Sequence, residues 1–165
     1  MFDYCSNLYS IDISQLNTRN VTNMSSMFSN CLSLTEIDLS TLNTSNVSDM
    51  SSMFENCSSL KSIDLSSWDT SNVIDMNGLF NGCFNLTSIL TPLYTKNVTN
   101  LSMMFADCKK IKALDLSYLD INNVVSTINM FKYCSNLEKV ILSKDNHNII
   151  ERAIKWDNIE PEIQV

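Results

Sequence analysis

Glycine and proline are scarce in this chain, with two of each among 165 residues, and there is a single histidine, His147. A chain that turns often without glycine or proline must turn on Asn, Ser and Thr, whose short side chains bond nearby backbone. One histidine with no Ser or Cys placed to use it, and no Gly-rich loop or separate carboxylate pair, leaves catalysis without a constellation. We therefore expect no enzyme and no cofactor. No apolar run of about 18 residues occurs, so no membrane-inserting helix is expected. A leader peptide is also missing, so any export or anchoring segment would lie outside this chain. Basic residues are few in the first half: through Thr95 nine acids face only Arg19 and Lys61, a net of −7, whereas from Lys96 onward nine acids face nine bases. That balance lacks the basic footprint of nucleic-acid binding and of docking on an anionic membrane surface. A cationic partner for the first half is the electrostatic expectation. With 44% hydrophobic and 18% charged residues, the chain is not a disordered one.

What is present is a repeat. Six cysteines stand at Cys5, Cys31, Cys57, Cys83, Cys108 and Cys134, spaced 26, 26, 26, 25 and 26 residues apart. Each closes one phrase, as in Met27-Phe28-Ser29-Asn30-Cys31 and Met53-Phe54-Glu55-Asn56-Cys57. A fixed period of this length is the signature of a solenoid, in which each repeat is one coil stacked on the next. Phe2, Phe28, Phe54, Phe80, Phe105 and Phe131 form one apolar column, and Val21, Val47, Val73, Val98 and Val124 another. No coil could bury these side chains alone.

Within a coil, Leu34-x-x-Ile37-Asp38-Leu39 has the Leu-x-x-Leu-x-Leu spacing of a leucine-rich-repeat strand, with Ile37 and Leu39 inward and Asp38 outward. Thr44-Ser45-Asn46 reads as a turn and Val47 to Met50 as a second short extended segment. Ser51 to Cys57 reads as one helical turn. The fold class expected is thus a leucine-rich-repeat-like repeat solenoid with short parallel β-sheets and a short helical turn in each coil. Residues 1–143 hold about 5.5 repeats of 26 residues, and residues 144–165 form a C-terminal cap. In that cap Asn148 is the expected N-cap, with Glu151 at N3 and an apolar stripe of Ile149, Ile150, Ala153, Ile154 and Trp156. The first coil begins inside the repeat, so its edge is expected to fray or to self-associate.

The phrases Ile37-Asp38-Leu39-Ser40, Asn43-Thr44-Ser45-Asn46-Val47 and Met50-Ser51-Ser52-Met53-Phe54 resemble the repeat of BspA-like bacterial surface proteins, over about residues 1–143. The resemblance implies display at the cell surface or secretion, adhesion and partner binding. Three departures stand out. The fourth repeat is one residue short and reads Ile89-Leu90-Thr91-Pro92-Leu93, the fifth has Ile121 and Thr127 where Thr and Met are expected, and the sixth dissolves after Leu142.

Four groups of residues are candidates. The cysteines come singly, which suits zinc poorly; parallel thiols pointing into a core also suit disulfides poorly, and buried free thiols fit best. Asp12, Asp38, Asp64 and Asp115 lie on the outward strand face, where they either bond the Ser two residues on or meet a partner's Lys or Arg; a single-file ladder suits calcium poorly. The Asn20, Asn46, Asn72, Asn97 and Asn123 ladder, with Thr18, Thr44, Thr70 and Thr95 beside it, reads as turn closure, with ordered water on an ice-binding Thr array as the rival. Asn20-Val21-Thr22 and Asn97-Val98-Thr99 match a glycosylation acceptor only because the repeat spells it. Finally, the positions that vary between coils, among them Tyr9, Glu36, Lys61 and Lys112, are what a specific partner must read. The expectation is a non-catalytic binding or adhesion module that contacts a protein or glycan, with a structural spacer in a longer array as the alternative.

Overall fold

The computed structural model describes residues 1–90 and 93–165; the Thr91-Pro92 part of the short fourth repeat lies outside the described residues. The fold is repeat-like and β-rich, with short parallel strands in two sheets and one helix. Strands β1 (Ser62–Asp64) and β2 (Ser88–Leu90) pair in parallel, Ile63 opposite Ile89. Strands β3 (Ala113–Asp115), β4 (Lys139–Ile141) and β5 (Glu162–Gln164) form the second sheet, again all parallel, with β4 in the middle. Helix α1 (His147–Trp156) joins β4 to β5. No helix among the described residues is long and apolar enough to cross a membrane.

The expected strand at Leu34 to Leu39 is not formed, because a strand needs successive ladder bonds and this stretch has the single link from the Thr35 N–H to the Tyr9 carbonyl at 3.2 Å. The alternation survives: Leu39 is buried, Ile37 half-buried and Asp38 exposed. The second extended segment is reduced to one parallel bridge per coil, running Asn23, Asp49, Asp75, Asn100, Ser126.

The segment Ser51 to Cys57 is not helical. Ser52 and Asn56 have φ of 54° and 58°, in the left-handed region, which breaks any α-helix and makes the third residue of a type II-like turn. The N–H groups of Met53, Glu55 and Cys57 close turns onto the carbonyls of Met50, Ser52 and Phe54. Those of Met50, Ser52, Phe54 and Asn56 instead donate to Asp75, Asn77, Leu79 and Asn81 in the next coil, at 2.7–3.0 Å. Every backbone donor from Met50 to Cys57 therefore has an acceptor, half of them in the neighbouring coil. The same pattern recurs from Met24 to Asp107, always with the N–H pointing toward the following repeat.

The core runs unbroken from Ile13 to Ile154. At its centre the phenylalanines stack in one column, with neighbouring ring centroids 5.4–6.0 Å apart and ring planes within 14° of parallel. Offset stacking of this kind adds to the area each ring removes from water. Trp68 joins the column beside Phe54.

The cap differs from expectation in its details. α1 starts earlier than Asn148, after Asn146, whose side chain does not cap the helix. Buried Asn146 spends its amide on the Leu116 and Leu119 carbonyls at 2.6 and 3.3 Å, tying the cap to the fifth coil. Ile150, Ala153 and Ile154 are buried, but Trp156 at the helix end is 66% exposed and is not part of the core stripe. β5, after Pro161, completes the cap by adding a strand to β4.

Candidate functional site

The outward aspartates are turn residues before they are anything else. Asp12, Asp38, Asp64 and Asp115 each accept the N–H of the Ser two residues on through Oδ1, at 2.9–3.0 Å. These bonds from Ser14, Ser40 and Ser66 hold the Asp12, Asp38 and Asp64 carboxyls below the usual range. The same device occurs at two more columns, through Asn17, Asn43, Asp69 and Asp120, and through Asn23, Asp49, Asp75 and Asn100. Each coil thus turns on Asx residues that bond their own backbone two residues on, which is how the chain dispenses with glycine and proline. Leu90 stands opposite Asp64 in the ladder and separates it from Asp115.

The threonine ladder faces inward. Thr44 is 2% exposed; its hydroxyl donates to the Asp69 carbonyl at 3.0 Å and accepts the Asp69 N–H at 2.9 Å. Thr18 and Thr70 make the same pair of bonds to Asn43 and Tyr94. The asparagines reach the opposite way: Asn46, Asn72, Asn97 and Asn123 donate to the carbonyls of Arg19, Ser45, Ser71 and Lys96 at 2.7–2.8 Å. Thr clips each coil to the next and Asn clips it to the one before. The Thr18, Thr44, Thr70 and Thr95 ladder is thus buried and does not face water.

The cysteine column has an arrangement that spacing alone does not reveal. Cys31, Cys57, Cys83, Cys108 and Cys134 are buried, unpaired thiols, and each donates to the carbonyl of the Phe in the preceding coil, at 2.9–3.3 Å. Burial pushes Cys31 up to about 11 and Cys57 and Cys134 up to about 12, and raises Cys83 and Cys108 as well. Cys5 departs from the column and is exposed. Among the described residues no group of three His, Cys, Asp or Glu side chains converges.

The non-repeating positions of the strand face do project. Tyr9 is 67% exposed, and Glu36, Lys61 and Lys112 are exposed too. Lys112 pairs with Glu138 at 3.2 Å, a solvent-exposed ion pair worth little to stability. Between them, Thr35 and Thr87 turn their hydroxyls onto the carbonyls of Tyr9 and Lys61. The face therefore alternates self-satisfied threonines with projecting Tyr9, Lys61 and Lys112.

A family model described as "Mycoplasma protein of unknown function, DUF285" matches residues 1–64 and 60–158. No curated protein matches the chain.

Proposed function

The chain belongs to the DUF285 family, and from that premise we propose that it is a non-catalytic binding module: a leucine-rich-repeat-like solenoid of a BspA-like surface or secreted protein. It contacts a protein or glycan partner through the strand face. One observation carries the reading. Residues that recur in every coil spend their polar groups on backbone, whereas Tyr9, Glu36, Lys61 and Lys112, which change from coil to coil, project from one face. Recurring groups that are already bonded have little left for a partner, so selectivity falls to the projecting ones. The Oδ2 atoms of Asp12, Asp38 and Asp64 leave this half of the face acidic and suited to a basic patch on the partner.

The test is binding of the full chain to a panel of immobilised extracellular proteins and glycans, alongside a variant carrying Glu36→Lys, Lys61→Glu and Lys112→Glu. A partner held by the native chain and lost by the variant is the expected result. Equal retention by both would move the contact off this face. Silence across the panel favours a spacer within a longer array, a reading supported by the turn ladder that recurs from coil to coil.

A further inference from the structure

At the last coil the row of forward-pointing donors runs out of repeats. By the register of the coils before it, Thr127, Asn129, Phe131 and Tyr133 direct their N–H groups toward the cap. Phe131 is the only one of the four with an acceptor among the described residues, and that acceptor is the Asp157 carboxylate at 2.7 Å. A carboxylate thus already occupies one place in the row. The N–H groups of Thr127 and Asn129 have no acceptor among the described residues. The Ile128 N–H between them has none either, since Ser126 stands where Asn100 or Asp75 would accept it and the Ser126 hydroxyl is bonded to Ser102 instead.

Three consecutive N–H groups with Asn129 at φ 56° make a backbone nest, a shape that concentrates positive potential and suits an anion. Its Thr127 and Ile128 border a cavity of about 310 Å³ between the last coil and α1, lined also by Val124, Val125, Ser126, Ile149, Arg152 and Trp156, with no Asp or Glu in its wall. Arg152 has no acidic partner among the described residues and lies over the Trp156 ring at 5.3 Å. An unspent guanidinium and the unspent amides of Thr127 and Ile128 therefore border one opening, whose remaining walls are apolar apart from Ser126. The size is at the low end for a small-ligand site, which is about 300–1,000 Å³, and fits one chain end better than a larger body.

We propose that this cavity binds the C-terminal carboxylate of a peptide whose last residue is apolar: the carboxylate sits between the Thr127 and Ile128 amides and Arg152, and the last side chain rests against Val125, Ile149 and Trp156. Backbone nests are a recurrent means of holding terminal carboxylates. The site is separate from the strand face and stands or falls apart from it.

The probes are Gly-Gly-Phe and its C-terminal amide, titrated into the full chain while the amide resonances of Thr127 and Ile128 are followed. The acid should shift both resonances saturably and the amide should not. Arg152→Gln should weaken the acid about tenfold or more, through loss of charge-assisted bonds, with an unchanged melting temperature. Trp156→Ala should also weaken Gly-Gly-Phe while leaving acetate unchanged. The proposal is overturned if the acid and amide act alike, if neither shifts these resonances at millimolar concentration, or if glucuronate binds as well as the peptide.

Discussion

The Cys57 thiol donates to the Phe28 carbonyl at 3.2 Å, across 29 residues of chain, while that same carbonyl accepts the Cys31 N–H at 3.2 Å. Two coils are thereby joined at one oxygen inside the core, directly beneath the ring column. The cysteine is small enough to fit between stacked coils and still offers a weak donor, which Ala or Val in its place would not.

From this comes a labelling pattern. A thiol reagent should modify one cysteine of the native chain, Cys5, and all six after denaturation. Cys57→Ala should cost roughly 1–2 kcal/mol by denaturant melting, and Cys57→Asp should prevent the coil from closing. Rapid native labelling of Cys57 or Cys83, or an intact mass lower by two hydrogens, would contradict the buried, reduced column.

The raised thiols also set a pH dependence. An unfolded Cys ionises near pH 8.5, and the folded column holds its protons to about 11 for Cys31 and about 12 for Cys57 and Cys134. Stability from this source is therefore fully present below the unfolded value. It is lost as pH rises from there toward the folded values. Melting temperature should be flat from pH 7 to about 8.5 and then fall steeply, with a shallower fall for Cys57→Ala. An unchanged melting temperature at pH 10 would count against it.

Thr70 is 0% exposed and bonds both the N–H and the C=O of Tyr94. Thr70→Val keeps the shape and removes the hydroxyl, leaving two backbone groups short of a partner, so a loss of about 1–3 kcal/mol is expected. Thr70→Ser should recover most of it. If Val and Ser prove equally stable in urea melts, the clip contributes nothing.

The first coil offers carbonyls where the last offers amides. The Asp49 and Ser51 carbonyls accept from Met24 and Ser26, but among the described residues nothing donates to their equivalents, Asn23 and Ser25. A nearby cavity of about 270 Å³ is lined by Met1, Leu16, Val21, Met24 and Met27. Hydrogen exchange in residues 8–14 should be faster than in residues 60–66, or should slow with rising concentration if chains pair there. Slow exchange in a strictly monomeric sample would show that the edge needs no cover.

Much of this was readable from the residues. The period, the columns and the burial of Leu39 or Leu65 follow from spacing, since a side chain repeated at one phase of every coil can only be stacked. The left-handed turns were also written in the chain, though less visibly. Its only glycines, Gly78 and Gly82, stand in the columns of Ser52 and Asn56, and among the described residues every positive φ except that of Asn158 falls in those two columns. Two glycines in register with Ser and Asn signal positive φ, not a helix. The thiol–carbonyl bonds and the threonine clips were not readable, because they depend on which backbone atom of the neighbouring coil comes within reach. The Asn146 anchor is likewise invisible, since its targets, Leu116 and Leu119, are 30 and 27 residues away.

The one-way turn ladder has a consequence for how such a chain can change in length. Each coil presents donors on one side of its turn ladder and acceptors on the other, so the turn-ladder bonds are alike at every joint from Met24 to Asp107. Removing or duplicating one whole unit leaves all remaining joints intact, and stability should then change by a nearly constant step per unit. A cut of half a unit would bring donors against donors. Recombination between repeats can therefore lengthen or shorten this protein freely, but only in whole turns.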